Sequence, residues 1–501
     1  MKAVLAIDQG TTGTTCLVLD ASSRVLGRGY SEFRQYYPRP GWVEHDAGEI
    51  WRITLSVMRE AVAMARQEHT NLELASVGIT NQRETVVLWD RRTGEPVHPA
   101  IVWQDRRTAD RCRALREQGR EAWLRERTGL VLDPYFSATK IEWLLQNVPG
   151  LRQRAESGEL AAGTIDTWLI WNLTGGRTHA TDPSNASRTS LFDIRTLRWD
   201  DELLELFGVP RALLPDVRPS SGDFGLTDEN LLGVRVPIGG VAGDQQAALF
   251  GQGCVRSGQA KNTYGTGAFL LLNTGAERVI SRSGLLTTVA CGASGEPAYA
   301  LEGSIFIAGA AVQWLRDALG IVTHAAETEA LARGLASNDG VYLVPGFVGL
   351  GAPHWNAEAR GTIVGLTRGT GRAHLARAAL EAMAYGTRDV LHAMETDSGV
   401  VATELGVDGG ATHNEWLMQF QADVIGLPVR RPRMVETTAL GAAGLAGLAA
   451  GLWRDAEHFM ASREDPTIFE PRMNTDERNT LIRGWNRAVQ AALAWADGGT
   501  S

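Results

Sequence analysis

Residues 7–19 read Ile7-Asp8-Gln9-Gly10-Thr11-Thr12-Gly13-Thr14-Thr15-Cys16-Leu17-Val18-Leu19. Half a chain later, residues 262–272 read Asn262-Thr263-Tyr264-Gly265-Thr266-Gly267-Ala268-Phe269-Leu270-Leu271-Leu272. Both read as strand, Gly-Thr turn, apolar strand. Gly10-Thr11 and Gly265-Thr266 stand 255 residues apart in a chain of 501. Self-similarity at half length points to a duplicated domain, although Gly-Thr is also a common turn pair that recurs by chance.

Around the first hairpin, residues 4–8 and 16–19 are predicted strands joined by the tight link 9–15, and residues 24–29 a third. Residues 49–67 carry helical periodicity (Ile50, Ile53, Val57, Ala61, Met64) with Asp46 near their start. Residues 77–80, 86–90 and 100–103 read as further strands. A third glycine turn lies at Asp408-Gly409-Gly410, after an apolar strand and before a helix over 414–425. Ile482, Trp485, Val489, Ala492, Leu493 and Ala496 make one apolar face of a C-terminal helix. An uncharged stretch, residues 439–453, is rich in Gly and Ala; it is shorter than the ~20 residues of a spanning helix and reads as a core helix packed closely on a sheet. The one natural break falls near residue 250, which divides the chain into domains 1–250 and 251–501.

Composition narrows the function. The formal net charge is -9, and a nucleic-acid grip needs a dense basic stripe, so no nucleic-acid partner is expected. Among the 49 basic residues only Lys2, Lys140 and Lys261 are lysines, and none completes the G-x-x-x-x-G-K-[ST] frame of a P-loop. Cys16, Cys112, Cys254 and Cys291 form no C-x-x-C and read as buried reduced thiols. The ten histidines show no metal-ligand spacing. The apolar N-terminal run is too short for a signal peptide and ends at Asp8, so a cytoplasmic protein with no membrane-spanning segment is expected.

A strand-turn-strand with Gly and consecutive Thr offers inward-pointing amides and hydroxyls to an anion such as phosphate. Asp8 beside that anion makes sense with Mg2+ between, since this ion takes one or two carboxylates plus phosphate oxygens; a capping Asp in a plain hairpin is the other reading. With one phosphate hairpin in each half and the Asp408-Gly409-Gly410 turn against adenosine, the pattern resembles the actin-like ATPase fold. Asp244 sits at a glycine turn between the halves, directly before an Ala-rich helix. A carboxylate there can take a proton from an alcohol attacking a γ-phosphate, or cap the helix, or both. Arg83 only donates and Glu84 only accepts, so the pair can bracket a polyol's hydroxyls; a surface ion pair is the commoner fate of such neighbours. Trp103, at another strand end, can cover the carbon face of a small substrate or simply fill the core.

Four motifs then occur in order: Asp8-Gln9-Gly10-Thr11-Thr12, Asn81-Gln82-Arg83-Glu84-Thr85, Trp103-Gln104-Asp105-Arg106 and Gly243-Asp244-Gln245-Gln246. With two longer signatures, at residues 135–147 and 361–381, they make the chain resemble the FGGY carbohydrate kinases over residues 4 to about 495, most of all the glycerol-phosphorylating type marked by Gln-Arg-Glu. The resemblance implies an α/β protein of two RNase-H-like (actin-like ATPase) domains closing on MgATP and glycerol in the cleft between them, giving sn-glycerol 3-phosphate and ADP. It implies Asp244 as general base; Arg83, Glu84, Tyr135, Asp244 and Gln245 as polyol contacts, with Trp103 and Phe269 as the apolar wall. Thr11, Thr12, Gly13, Thr266, Gly309, Gln313, Gly410 and Asn414 match nucleotide contacts, and Asp8 the residue near the metal. A homodimer or homotetramer is expected. Two departures stand out. Thr15 occupies the place of an Arg that touches the nucleotide phosphate in many relatives. Arg235 matches the fructose 1,6-bisphosphate loop of some relatives, but residues 227–234 lack its glycine run and add two acids, and residues 220–236 hold no His, so neither strong inhibition by that sugar nor activation by phosphohistidine is expected.

Overall fold

The computed structural model describes residues 1–497. Its first sheet holds β1 (Lys2–Gln9), β2 (Gly13–Asp20), β3 (Val25–Glu32), β4 (Glu73–Asn81) and β5 (Ile238–Gly243), in the order β5-β4-β1-β2-β3. β1 runs parallel to β4, and β4 to β5, while β1–β2 and β2–β3 are antiparallel. The period-two alternation of a strand divides β1 and β2 between two cores. Ala3, Leu5, Ile7, Cys16 and Val18 face α1 (Ala47–Glu68), meeting Ile50, Val57 and Ala61. Val4, Ala6, Leu17 and Leu19 face the other way. Asp46 caps α1 by accepting from the Glu49 N–H at 3.0 Å.

The second sheet is built from β6 (Gln259–Tyr264), β7 (Ala268–Gly275), β8 (Leu286–Cys291), β9 (Pro297–Ile305), β10 (Glu404–Gly409), β11 (Val429–Arg431) and β12 (Thr467–Phe469), in the order β8-β9-β7-β6-β10-β11-β12. β6 is parallel to β10 and β10 to β11, while β6–β7 and β7–β9 are antiparallel. The run β11-β10-β6-β7-β9 thus repeats the pattern β5-β4-β1-β2-β3, with the two Gly-Thr turns at equivalent places. These are two actin-like α/β units, and the short helix α2 (Asp244–Gly251) joins them directly after β5. α3 (Gly309–Asp317), α4 (Arg372–Ser398) and α5 (Glu415–Ile425) follow in the second unit.

α6 (Thr437–Ala449) comes from the last quarter of the chain yet covers the face of the first sheet opposite α1. It lies so close that backbone meets backbone. A Cβ on Gly78 would stand 2.2 Å from the Ala442 carbonyl oxygen, one on Gly240 2.4 Å from the Ala446 nitrogen, and one on Gly441 1.8 Å from the Ala247 oxygen. The sequence expectation of a Gly/Ala-rich core helix is met, and its target sheet is the one belonging to the other half. The Trp453 indole N–H, donating to the Ala21 carbonyl at 3.0 Å, extends this attachment. α7 (Thr475–Asp497) closes the second core with Trp485, Val489 and Ala492; Trp485 stacks on Tyr385 at 5.1 Å.

The two units also meet at the base of the cleft. β8 lies against the first half: the Thr287 N–H donates to the Gly129 carbonyl at 2.9 Å, and Val289 packs in the same core as Leu144 and Phe192. The strand expected over 100–103 is only Ala100–Ile101, because the chain turns there to send Trp103 into the cleft. All four cysteines are buried and unpaired. Among the described residues no helix is long and apolar enough to cross a membrane.

Candidate active site

β4 delivers Arg83 and Glu84 into a closed polar network. At the strand end, Asn81 and the buried Asn185 exchange side-chain hydrogen bonds at 3.0 and 3.1 Å. Asn185 sits in a short turn whose Asp182 carboxylate accepts from the Ser184 and Asn185 N–H groups. The Ser184 hydroxyl accepts from the Gly243 N–H at 2.9 Å, which ties this turn to the start of α2. Gln82 Nε2 donates to Gln9 Oε1 and to the Gly10 carbonyl, both at 3.1 Å, which ties it to the first hairpin. Glu84 adopts a left-handed backbone, φ 63°, uncommon for a residue with a side chain.

Arg83 and Glu84 are both buried, so they are not a surface ion pair, and their closest approach is only 3.8 Å. Each has another partner. The Arg83 guanidinium donates to Glu302 through two nitrogens, at 2.6 and 3.0 Å, and its Nε lies 3.1 Å from Asp244 Oδ1. Arg188 Nε donates to Glu84 Oε1 at 2.6 Å and its Nη2 to Glu302 at 3.0 Å. Two guanidiniums therefore serve three carboxylates. Burial alone would raise the Glu302 carboxyl, but Arg188 and Arg83 outweigh it and hold it at about 2. Burial dominates at Glu84, which is raised in spite of Arg188 and Arg83. Glu84 Oε2 and Arg188 Nη1 have no hydrogen-bond partner among the described residues, and the latter is fully enclosed.

Asp244 is the first residue of α2, and Gly243 occupies the cap position, so the helix-cap reading of Asp244 does not hold. Its Oδ1 faces the Gln245 N–H at 2.7 Å as well as Arg83, and its side chain is 31% exposed, with Oδ2 unengaged. Trp103, Tyr135 and Phe269 line a cavity of about 760 Å³ together with Glu302. Trp103 meets Tyr135 edge-on at 5.4 Å, and its indole N–H donates to Thr11 Oγ1 at 2.9 Å. The aromatic wall is thereby fastened to the first Gly-Thr turn, and Trp103 is not simply core.

Of the sequence-predicted nucleotide residues, Thr266, Gly309, Gln313, Gly410 and Asn414 line a second cavity of about 530 Å³, formed wholly by the second unit. The Thr266 carbonyl accepts from Ala308 and Ala310, and the Gly265 carbonyl from Gly309, so the second turn and the start of α3 form one surface. Gly409, at φ 89°, turns β10 toward it; a Cβ there would lie 2.1 Å from the Tyr264 carbonyl oxygen. Asn414 caps α5 with its oxygen on the Leu417 N–H, leaving the amide toward Thr328 at 3.3 Å. Thr11, Thr12 and Gly13 belong to the opposing first turn, closed by Gly10 N–H on the Gly13 carbonyl at 2.9 Å, and do not line this cavity.

Asp8, half-buried near the end of β1, has no cationic partner among the described residues. Burial and the neighbouring carboxylates of Asp244 and Glu436 push its carboxyl up to about 7. An acid whose charged neighbours are carboxylates suits a divalent cation. Among the described residues no group of three or more His, Cys, Asp or Glu side chains converges, so the protein offers no full cage. Such a partial donor set fits Mg2+, which keeps waters and takes phosphate oxygens.

Sequence reasoning missed Arg188, Glu302, Lys261 and the Asp182–Asn185 turn. The turn carried a readable signal, an Asp followed by Pro at the first helical position. Lys261 is one of only three lysines. Arg188 and Glu302 carry no local pattern.

The chain matches the model of the FGGY family of carbohydrate kinases, N-terminal domain, over residues 3–251 and the C-terminal domain over residues 260–450. It is 57% identical over 495 residues to glycerol kinase 2 of Thermotoga maritima, covering 99% of each chain. It is 57% identical over 494 residues to a glycerol kinase of Deinococcus radiodurans, covering 99% of this chain and 98% of that one. The crystal structure of Plasmodium falciparum glycerol kinase with ADP superposes with a TM-score of 0.94 at 37% identity, covering 98% of each chain.

Proposed function

Because the chain belongs to the FGGY family of carbohydrate kinases, we propose that it transfers the γ-phosphoryl group of ATP to glycerol, giving sn-glycerol 3-phosphate and ADP. Relatives 57% identical to it over almost the whole of both chains are glycerol kinases, which supports glycerol over a ketose. The observation that carries the mechanism is the free oxygen of Asp244, whose other oxygen lies 3.1 Å from the buried Arg83, at the start of the helix that joins the two units.

In this reading glycerol lies against Trp103, Tyr135 and Phe269, with its hydroxyls between Arg83, Glu84 and Gln245. Asp244 Oδ2 accepts the proton of the terminal hydroxyl. The glycerol oxygen that lost the proton forms a bond to the γ-phosphorus, the bond from phosphorus to the bridging oxygen breaks, and its electron pair leaves with ADP. Thr11, Thr12, Gly13 and Thr266 hold the phosphates from both sides, while Gly309, Gln313, Gly410 and Asn414 hold the nucleoside. Asp8 would hold Mg2+, which when bound neutralises phosphate charge. The proposed division of labour is a polyol site and first phosphate turn in residues 1–250, and the second turn and adenosine site in residues 251–501.

An ADP-coupled assay with glycerol, dihydroxyacetone, erythritol and a pentulose tests this. Glycerol is expected to give the highest kcat/KM. A faster pentulose, or slow ATP hydrolysis indifferent to every polyol, would overturn it, the latter in favour of an ATP-switched binding protein.

A further inference from the structure

Lys261 is buried to 0% exposure in β6, four residues before the second Gly-Thr turn, and the mechanism above does not use it. Its Nζ donates to Gln245 Oε1 and, at 2.9 Å, to Thr263 Oγ1. Among the described residues no carboxylate lies within ion-pair distance of it. Asp408 on β10, Asp244 on α2, Glu302 on β9 and Arg83 beyond β4 are the charged groups that face it. Burial brings the lysine down to about 8, against the pull of Asp408, Asp244 and Glu302, so it is an ammonium at neutral pH.

An ammonium has three donors and no acceptor, so only the oxygen of a neighbouring carboxamide can meet it. The carboxamide is planar, and fixing Oε1 on Lys261 turns Nε2 to the opposite side. Gln245 is half-buried beside Asp244, and its Nε2 has no hydrogen-bond partner among the described residues. The geometry points to Lys261 as a positioning residue: it orients the Gln245 carboxamide so that Nε2 donates to a polyol oxygen while the adjacent Asp244 accepts a polyol proton. Two neighbouring residues are thereby kept as one donor and one acceptor, the pairing a hydroxyl group needs. This inference rests on the polyol-kinase reading of the site.

The test is a double-mutant cycle on Lys261→Met and Gln245→Ala, read with whichever small polyol the wild-type enzyme turns over fastest. Each single variant is expected to raise the polyol KM about tenfold, the worth of one buried hydrogen bond, with kcat changed far less. The double variant is expected to match the singles, because both remove the same contact. Additive losses, or a Lys261→Met KM equal to wild type, would overturn the assignment; a purely structural lysine would lower thermal stability and add independently. Should Lys261→Met fail to fold, Lys261→Arg decides, since it keeps a cation but cannot hold Gln245 Oε1 in the same place. A raised KM supports the assignment and an unchanged one refutes it. Turnover of a different polyol would overturn the glycerol reading alone, and turnover of none would overturn both.

Discussion

Asp244 engages Arg83 and the Gln245 N–H through the same oxygen, Oδ1, so its second oxygen is available without breaking anything. An Asn side chain keeps the shape and loses the basicity. Asp244→Asn is therefore expected to lower kcat by roughly 10²–10⁴ while thermal unfolding stays close to wild type. A near wild-type rate would remove Asp244 from the base role. Arg83 is a different case. It was read from sequence as a polyol contact, but it also neutralises Glu302, so Arg83→Ala should cost stability as well as glycerol affinity. Glu302 gives the pH signature of this network. Its folded carboxyl sits near 2, against 4.5 for the free group, so the folded state holds fewer protons between those values. The stabilisation is present above about pH 4.5 and is lost as pH falls toward 2. Glu302→Gln should destabilise the protein at pH 7 by about 3 kcal/mol, and urea denaturation at falling pH should show the gap to wild type closing below pH 4.5.

At the scale of elements, the glycine contacts of α6 make a sharper demand than its hydrophobicity. Gly441→Ala adds a methyl where the Ala247 carbonyl oxygen stands 1.8 Å away. The helix must shift off α2, at a cost of about 3 kcal/mol in chemical denaturation. Because α2 begins with Asp244, kcat should fall too, and an unchanged melting temperature would contradict the contact. The elements differ in how far sequence revealed them. Both hairpins were legible because Gly-Thr between apolar strands is a local pattern, and the helix at 414–425 because its period is local. That residues 439–453 pack on a sheet was legible from their small side chains, but the identity of the sheet was not, since nothing in a Gly/Ala run names its partner. The same limit applies to the site. Arg83, Glu84 and Asp244 lie in motifs, whereas Glu302 and Arg188 acquire their meaning only when β9 and the turn after Asn185 meet across the cleft.

For the molecule as a whole, the Glu302 bridge to Arg83 and Arg188 and the contact of β8 with Gly129 fasten the two units at the floor of the cleft. With the floor fastened, closure is expected at the mouth of the cleft. Closing there would exclude water from the phosphates. Glycerol with a non-hydrolysable ATP analogue should reduce the radius of gyration measured by small-angle scattering. Each ligand at a hundred times its Kd should add about 2.7 kcal/mol to stability, and the pair together more than the two contributions. The attachment of α6 has a temporal consequence as well. A ribosome has released all five strands of the first sheet by residue 243, but the helix that shields Val4, Ala6, Leu17 and Leu19 is not made until about two hundred codons later. Through that interval the nascent first half carries a bare greasy face in need of a chaperone, and a gene cut at codon 250 would yield insoluble protein unless residues 437–463 were grafted back.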